Sequence, residues 1–320
     1  MRGLVLTAGL GTRLQPLTLA RAKAAAAVDG EPLARRTIRW LVGHGVRDLV
    51  LNLHHKPESI AAAVGDGSDL GARVRYSWES PVLGSAGGPR HALPLLLDPA
   101  SPPGGSGATS GVERTFLLVN GDTLTDVDLP AMIRQHRESG ALVTMALIPN
   151  PRPDKYGGVL LDAHNAVTGF TRRGSPLASY HFIGPQVVEA SVFADLADGV
   201  PSESVLEVYP RLMRERPGSV MGFTGNWMFR DIGTPADLLE TSLALAADDG
   251  RPDRPRWGRR AAVDPSARVT RSVLWDDVTI GAGAEVSECV VADGVTIPAG
   301  SRYHRAAIVA EPSGLVVVPL

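Results

Sequence analysis

A glycine-rich turn near the amino terminus carries the residues best suited to chemistry. Residues 6–18 read LTAGLGTRLQPLT, directly after the short apolar run RGLVL, and Lys23 follows. Gly9 and Gly11 can adopt positive φ and let backbone N–H groups reach an anion. Arg13 adds a planar cation two residues later. A glycine-rich turn that leaves a buried strand is typical of phosphate binding at the edge of an open α/β sheet.

Two common glycine loops are excluded by the residues around this turn. A P-loop requires a lysine directly after its last glycine, and no lysine stands in that frame. The dinucleotide fingerprint requires a third glycine, and Leu14 occupies that position. Taken alone, the G-x-G pair is also compatible with an ordinary tight turn. The specificity of the signal therefore comes from the complete string with Arg13 and Lys23.

Two aspartates are further candidates for a functional site. Asp122 follows the apolar run Phe116–Val119 in the order Asn-Gly-Asp, which predicts a carboxylate at the carboxyl end of a central strand. Gly-Asp is also a common turn pair. Asp231 shortly precedes Thr234 and Pro235, which are predicted to cap a helix and to occupy its first position. An incidental place beside this cap is the alternative for Asp231.

The amino-terminal string resembles the signature of the sugar-1-phosphate nucleotidylyltransferases, roughly A-G-x-G-T-R-L-x-P-L-T followed by P-K. The resemblance implies that the turn holds the nucleotide phosphates, while the arginine and lysine neutralise the triphosphate and the transition state. The family's P-K is Ala22-Lys23 here, so the lysine is present and the stiffening proline is not. The implied nucleotide-binding residues are Leu6, Ala8, Gly9, Gly11 and Thr12, and the implied catalytic residues are Arg13 and Lys23.

The same resemblance extends to the base and the metal. The segment from Tyr76 to Gly88 is similar to the family's E-x-x-L-G-T-A-G element, which lines the nucleobase pocket. It implies nucleotide-binding roles for Glu79, Gly84 and Ser85. A carboxylate at Glu79 favours guanine, which offers two adjacent donors; a solvated loop carboxylate is the alternative. Matching G-D and D-I-G-T-P elements imply that Asp122 and Asp231 bind Mg²⁺, and that Asp122 also contacts the nucleotide.

The sugar side follows the family pattern less closely. Gly158 lies in a Y-G-x-V element, and Gly184 retains the glycine of an altered N-A-G-I-Y strand. The family's F-x-E-K-P reads FTRRG here, so Arg173 can replace the lysine as a phosphate ligand. Arg172 cannot act as the family's acceptor glutamate. It either meets an acidic or second phosphate group on the substrate or points to solvent. The implied sugar-phosphate ligands are Gly158, Arg172, Arg173 and Gly184.

Composition excludes several classes of protein. The 320 residues are 44% hydrophobic and 21% charged, as in globular proteins, and the net charge of −2 without a basic block argues against a nucleic-acid surface. One cysteine, Cys289, excludes a disulfide framework and a cysteine-based metal site. Neither a signal-peptide pattern nor a membrane-length apolar run is present. We therefore expect a cytoplasmic protein that binds no membrane.

Residues 1–148 alternate predicted strands and helices, which predicts an α/β fold with a Rossmann-like, mixed and mostly parallel sheet. The segment Pro99–Gly111 is of low complexity and predicts a tolerated surface loop rather than a catalytic lid. The predicted strands are Gly3–Leu6, Asp48–Leu53, Val74–Ser77, Thr115–Val119 and Leu142–Ile148, and the predicted helices are Leu33–His44, Pro57–Val64, Leu129–Ser139 and Asp237–Ala247.

The carboxyl-terminal part has a different periodicity. The string VTIGAG at Val278 recurs as VTIPAG at Val295, and apolar residues six apart accompany both copies. Hexapeptide spacing with coils of nearly 18 residues predicts a short left-handed parallel β-helix of about three coils. We thus expect a nucleotidyltransferase domain at 1–247, a proline-rich linker at 248–260 and the β-helix at 261–320. So few coils are barely stable alone, so we expect them to pack against the first domain or a second subunit, and we expect a homo-oligomer.

The expected reaction transfers a nucleoside monophosphate from an NTP to a sugar-1-phosphate and releases pyrophosphate. Glu79, the L-G-S-A-G-G string and the β-helix together look like the mannose-1-phosphate guanylyltransferases. Uridylyltransferases acting on glucose-1-phosphate or N-acetylmuramate-1-phosphate are the alternative. The altered motifs also leave open a non-catalytic, nucleotide-sugar-binding regulatory subunit. An acyltransferase is disfavoured, because the predicted coils hold one histidine, His304, and too few coils for a ligand cleft.

Overall fold

A computed structural model describes residues 1–98 and 114–320. The predicted loop Pro99–Gly111 lies outside the described residues. None of the described helices is long and apolar enough to cross a membrane. The helices are α1 (Leu33–Gly43), α2 (Pro57–Val64), α3 (Gly84–Leu96), α4 (Leu129–Ser139), α5 (Ser191–Ala194), α6 (Tyr209–Glu215) and α7 (Pro235–Asp248).

Short strands alternate with these helices and then replace them toward the carboxyl terminus. The strands are β1 (Arg2–Leu6), β2 (Ala27–Val28), β3 (Glu31–Pro32), β4 (Asp48–Leu53), β5 (Arg73–Trp78), β6 (Thr115–Asn120), β7 (Thr123–Thr125), β8 (Val143–Pro149), β9 (Gly158–Leu161), β10 (Val167–Thr171), β11 (Tyr180–Glu189), β12 (Val220–Thr224), β13 (Phe229–Asp231), β14 (Ala262–Val263), β15 (Arg268–Thr270), β16 (Val273–Leu274), β17 (Thr279–Ile280), β18 (Glu285–Ser287), β19 (Val290–Val291), β20 (Thr296–Ile297), β21 (Arg302–His304), β22 (Ala306–Glu311) and β23 (Gly314–Pro319).

The described chain divides into two compact units. Unit 1 comprises Met1–Gly9, Thr37–His54 and the described part of Val64–Phe229; unit 2 comprises Leu10–Arg36, His55–Ala63 and Arg230–Leu320. The boundary between Gly9 and Leu10 falls inside the glycine-rich turn. The segment after this boundary therefore groups with α7 and the carboxyl-terminal coils. A division of the sequence into domains at residues 247 and 261 stays a prediction.

Unit 1 is built on one mixed sheet, which confirms the predicted α/β fold. Strands β5, β4, β1 and β6 lie side by side and run parallel. Strand β11 runs antiparallel beside β6, β8 and β9, and β12 is parallel to β8. All residues of β4 are buried, as are four of the five in β1, which is typical of strands that are covered on both faces.

The carboxyl-terminal coils of unit 2 form a parallel β-helix with three faces. The faces are the sheets β14-β17-β20, β15-β18-β21 and β16-β19-β22-β23. Equivalent residues recur every 17 positions, as Ala262, Thr279 and Thr296 do, which is the spacing of the two repeated strings at Val278 and Val295. The expected inward residues, such as Ile280 and Val286, are buried in the core. The fold is that of the predicted left-handed β-helix.

The corners of the coils require left-handed backbone. One corner is formed by Arg271, Glu288 and Arg305, each 17 residues apart, with φ of 49°, 51° and 49°. Each guanidinium pairs with Glu288, at 3.3 Å from Arg271 and 2.9 Å from Arg305. The Arg305 guanidinium, followed by that of Arg271, lowers the pKa of Glu288. At this corner, residues of alternating charge therefore adopt a positive φ that is unfavourable for residues other than glycine.

The predicted linker is fixed to the β2–β3 hairpin of the same unit by one buried carboxylate. Asp29 is 1% exposed and lies between the two hairpin strands. Its Oδ2 accepts a hydrogen bond from Arg251 Nη2 at 2.7 Å. Its Oδ1 accepts from the backbone N–H of Arg256 at 2.6 Å. Residues 248–260 are thus held by side-chain contacts rather than acting as a free spacer.

An aromatic cluster packs beside β11 in unit 1. The His181 ring stacks on Tyr156 with 4.2 Å between centroids and meets Phe229 edge-on at 4.9 Å. Burial lowers the pKa of the His181 imidazole to about 4. Its Nδ1 is buried and has no hydrogen-bond partner among the described residues. The imidazole is therefore neutral at physiological pH.

Replacing Asp29 with asparagine should destabilise the protein by about 1–3 kcal/mol, since a buried carboxylate that accepts charged and backbone donors is lost. Urea denaturation measures the free energy of unfolding. Asp249→Asn is the matched control, because the exposed Asp249 carboxylate pairs with the same two arginines at 3.2 and 2.9 Å. A loss for Asp249→Asn as large as that for Asp29→Asn would contradict the structural role of Asp29.

The stability of the protein should fall as the pH drops from about 6.5 to 4, in part through His181. Its pKa is depressed in the folded state, so the unfolded chain takes up the proton first and gains free energy from doing so. His181→Phe preserves ring stacking and removes this titration. Between pH 7 and 5 the wild type should lose on the order of 1 kcal/mol more than the variant after solvent screening. Identical losses in chemical denaturation would refute the assignment.

Candidate active site

The glycine-rich turn in unit 2 is built around Gly11. This residue has a φ of 62° and precedes the 3₁₀ turn Thr12–Leu14. A Cβ atom there would lie 2.8 Å from Thr18 Cγ2 and 3.1 Å from Lys23 Cβ, so both backbone conformation and space require glycine. The side chains of Thr12 and Arg13 are exposed. The turn thus holds Lys23 beside its backbone and presents Arg13 outward.

Positive φ is confirmed for Gly11 and is absent at Gly9. The φ of Gly9 lies outside the left-handed region, and a Cβ atom added there would meet no atom within 4 Å. Gly9 is the last residue of its segment in unit 1, after the buried Ala8. Of the two glycines, Gly11 therefore adopts the positive φ that the sequence allowed, and Gly9 does not.

Arg13 and Asp231 converge on Gly233 within unit 2. A Cβ atom at Gly233 would lie 3.1 Å from Arg13 Nη1 and 3.2 Å from Asp231 Oδ2. The absence of a side chain leaves room for the guanidinium and the carboxylate to face the same point. Arg13 and Asp231, which are 218 positions apart in the sequence, thus belong to one cluster.

The helix after Asp231 begins as the sequence predicts. Thr234 caps α7, and Pro235 occupies the first turn. The backbone N–H of Asp237 donates to Thr234 Oγ1 at 3.2 Å, and the N–H of Thr234 donates to Asp237 Oδ2 at 2.8 Å. This reciprocal capping fixes the start of α7 and hence the chain just after Asp231.

In unit 1, Asp122 follows the carboxyl end of β6, as predicted. The backbone N–H of Gly121 donates to the carbonyl of Leu6 at 3.0 Å, which joins the ends of β6 and β1. Thr123 Oγ1 donates to the carbonyl of Ile183 at 3.4 Å, and Gly184 therefore lies beside the same segment. The structure brings Leu6, Asp122 and Gly184 to one edge of the sheet.

Glu79 is buried rather than solvated, with 1% of its surface exposed. Its Oε1 accepts a hydrogen bond from Asn52 Nδ2 at 2.6 Å, and its Oε2 accepts from the backbone N–H of Leu83 at 3.0 Å. The solvated-loop alternative is therefore wrong, while direct contact with a base stays a prediction. Asn52 has no motif around it, and sequence reasoning did not identify it.

The loop after Glu79 is tied to a distant segment of unit 1. The Ser85 hydroxyl donates to Glu203 Oε2 at 2.6 Å and accepts from the backbone N–H of Ser204 at 2.8 Å. A Cβ atom at Gly84 would lie 2.7 Å from Glu203 Oε1. Glu203 was also not identified from the sequence, because a contact between residues 118 positions apart leaves no local pattern.

The sugar-side residues separate into a close-packed glycine and two exposed arginines. The N–H of Gly158 donates to Thr171 Oγ1 at 3.1 Å, and a side chain at Gly158 would overlap Ser179. Arg172 and Arg173 follow β10, and both side chains are exposed. The exposure of Arg172 is compatible with either predicted alternative, and the ligand roles of both arginines stay predictions.

The possible metal ligands are carboxylates. Within residues 1–98 and 114–320, no group of three or more histidines, cysteines, aspartates or glutamates could hold a metal ion. The predicted donors are one aspartate from each unit, Asp122 and Asp231. A carboxylate is a ligand type that Mg²⁺ accepts together with phosphate oxygens and water, and joint binding by these two aspartates stays a prediction.

The sequence matches two described families. Residues 2–248 match the family "Nucleotidyl transferase", and residues 257–308 match "GlmU-like, C-terminal hexapeptide". Over 305 residues the chain is 29% identical to a mannose-1-phosphate guanylyltransferase of Mycobacterium tuberculosis, covering 87% of this chain and 81% of that protein. It is 27% identical to a mannose-1-phosphate guanyltransferase 2 of Candida glabrata, covering 84% of this chain and 73% of that protein.

Solved structures share the fold. The crystal structure of HddC from Yersinia pseudotuberculosis superposes with a TM-score of 0.63 at 20% sequence identity. The superposition covers 77% of this chain and all of HddC. The family match extends over most of the chain and includes the turn, both aspartates and the strands that carry them. The chain therefore belongs to the nucleotidyl transferase family and is a sugar-1-phosphate nucleotidylyltransferase.

Proposed function

We propose that the protein transfers GMP from GTP to mannose-1-phosphate in the presence of Mg²⁺ and releases pyrophosphate. The observation that carries the proposal is the convergence of Arg13 and Asp231 on Gly233, which joins a cation for phosphate to a carboxylate for metal. The named relatives of Mycobacterium tuberculosis and Candida glabrata support the choice of base and sugar.

The triphosphate is assigned to the glycine-rich turn. Backbone N–H groups of Gly11 and Thr12 bind phosphate oxygens, with Gly9, Ala8 and Leu6 on the nucleotide side. Arg13 and Lys23 neutralise the charge that develops on the pyrophosphate leaving group. Asp122 and Asp231 are the residues that would hold Mg²⁺, and the ion would supply positive charge to the reacting phosphates.

The reaction needs no nucleophile from the protein. An oxygen of the sugar phosphate, already an anion, attacks the α-phosphorus of the nucleotide, and the bond from that phosphorus to the bridging α–β oxygen breaks. Its electron pair leaves with pyrophosphate. The protein contributes position and charge, with Arg173 orienting the sugar phosphate. Gly84 and Ser85 border the base, and Gly158 and Gly184 leave space for the sugar.

Two other functions are candidates beside this one. Uridylyltransferase activity toward glucose-1-phosphate or N-acetylmuramate-1-phosphate is the second candidate, favoured by the altered sugar-side motif at Arg172. A non-catalytic, nucleotide-sugar-binding role is the third. Cytoplasmic location and homo-oligomerisation stay predictions.

A substrate panel tests the function directly. Pyrophosphate release is measured for each of the four NTPs with mannose-, glucose- and N-acetylmuramate-1-phosphate, with Mg²⁺ and after its removal by a chelator. GTP with mannose-1-phosphate should be fastest, and release should stop without the metal. Fastest release with UTP supports the second candidate. Nucleotide-sugar binding with no release from any pair supports the third.

Arg13→Ala should fold normally, because the side chain is exposed, and should lose turnover by roughly 100- to 1,000-fold, as loss of a preorganised charge does in other enzymes. Steady-state pyrophosphate release gives kcat, and circular dichroism verifies the fold. Arg268→Ala removes another exposed arginine of unit 2 and should retain full activity. Near wild-type kcat in Arg13→Ala would remove the central support for the mechanism.

Arg173→Ala should raise the KM for the sugar-1-phosphate about 10- to 100-fold, since a charged donor to phosphate is lost. The KM for the nucleotide should remain unchanged. Arg172→Ala is the adjacent comparison. A changed preference among sugars in that variant indicates substrate contact, whereas unchanged kinetics indicates that Arg172 points to solvent. An unchanged sugar-phosphate KM in Arg173→Ala would exclude the assigned role of Arg173.

A further inference from the structure

Two buried polar side chains link three strand ends of unit 1. Asn52 lies near the end of β4 and is 3% exposed; Glu79 follows β5 and is 1% exposed. Asn52 Oδ1 accepts hydrogen bonds from the backbone N–H groups of Thr7 at 2.6 Å and Ala8 at 3.3 Å, just after β1. Its Nδ2 donates to Glu79 at 2.6 Å.

The second side chain continues this connection to the loop that begins α3. Glu79 Oε2 accepts from the backbone N–H of Leu83 at 3.0 Å, one residue before Gly84. Gly88, on the first turns of α3, makes room for the pair. A Cβ atom at Gly88 would lie 2.6 Å from Glu79 Oε1 and 3.0 Å from Asn52 Nδ2. Continuous hydrogen bonds therefore run from Thr7 and Ala8 to Leu83.

The hydrogen-bond partners of Asn52 determine which end of its side-chain amide is the oxygen and which is the NH₂ group. Two N–H donors face one end of the Asn52 amide, so this end must be the oxygen. A carboxylate faces the other end, which must be the NH₂ group. Each of these groups is buried, so an unmade hydrogen bond is expensive, and the connection has one favourable arrangement.

We propose that Asn52 and Glu79 are positioning residues that couple the phosphate-binding turn to the nucleobase loop. This inference rests on the proposed function, in which Ala8 and Gly9 border the phosphates and Gly84 and Ser85 border the base. Asn52 holds the backbone before the turn, and Glu79 holds the backbone before the base loop. Glu79 thus acts through Leu83 and Asn52 instead of touching the base.

A reciprocal exchange tests the coupling. Asn52→Asp sets two carboxylates against each other, and Glu79→Gln leaves one backbone or side-chain donor without an acceptor. Each single variant should lower kcat/KM for the nucleotide about 10- to 100-fold through buried unsatisfied groups. The double variant Asn52→Asp/Glu79→Gln restores the pattern: the new carboxylate accepts from Thr7, Ala8 and the new amide, whose oxygen accepts from Leu83. It should return to within about threefold of wild type.

Two further measurements separate positioning from other roles. The single variants should raise the KM for the nucleotide while leaving that for the sugar-1-phosphate unchanged. Amide hydrogen exchange at Thr7, Ala8 and Leu83 should accelerate in the single variants and recover in the double variant. Asn165→Asp, the same change at an exposed position, controls for added charge.

Each outcome decides the proposal. A double variant as impaired as the worse single variant would overturn it and would indicate that the Glu79 carboxylate contacts the base directly. Equal increases in both KM values would indicate a general structural role and would also overturn it. If the wild type releases no pyrophosphate with any substrate pair, the proposed function fails, while hydrogen exchange still tests the coupling. Recovered exchange protection with recovered nucleotide kinetics supports it.

Discussion

Parallel hydrogen bonding between β1 and its neighbours β4 and β6 brings the carboxyl ends of these strands to one edge of the sheet. The register pairs Leu6 with Asn120, so the chain leaves β1 and β6 side by side. Gly121 then donates to the Leu6 carbonyl, and Asp122 follows at the same edge. The positions of the nucleotide-side residues of unit 1 depend on this register, because a shift by one residue would reverse the face of every side chain.

Buried polar groups, in addition to apolar packing, stabilise the loops at this edge. Asn52 and Glu79 bond to each other and accept from backbone N–H groups of two separate segments of unit 1, at Thr7 and at Leu83. At the start of α3, the Ser85 hydroxyl donates a hydrogen bond to the Glu203 carboxylate. Such bonds are directional, and they specify one loop conformation where a hydrophobic contact would permit several. This rigidity suits a reaction in which catalysis consists of position and charge.

In unit 2, apolar packing and buried hydrogen bonds join the β-helix to the segment that contains the glycine-rich turn. Its coils have an apolar interior, including Ile280 and Val286, while their corners require left-handed backbone. The Trp275 Nε1 group donates to the carbonyl of Ala27 at 3.0 Å, and Asp29 binds Arg251. The β-helix is thereby joined to the segment that contains Gly11, Arg13 and Lys23. A structural module and a chemical turn share one compact unit, which the division by sequence composition does not suggest.

Local patterns in the sequence were sufficient for much of the fold. The apolar runs predict β1, β4, β5, β6 and β8 with ends correct to within one or two residues, and the 17-residue repeat predicts the β-helix. Helix α3 was missed, because three glycines and two prolines within it conceal its helical periodicity. The second half of the sheet was also missed in detail, since β9, β10 and β12 have only four or five residues and the register of β11 against β8 shifts between Phe182 and Gln186.

The sequence by itself indicated the reaction class, because the glycine-rich turn and the elements around Asp122 and Asp231 resemble the signature of the sugar-1-phosphate nucleotidylyltransferases. Those signals are local, because a turn, a cap or a strand end is specified by a few neighbouring residues. Tertiary structure alone decided that Arg13 meets Asp231 at Gly233, that Glu79 is buried against Asn52, and that Glu203 binds Ser85. Contacts between residues far apart in the chain depend on the packing of whole elements, and no local pattern encodes them.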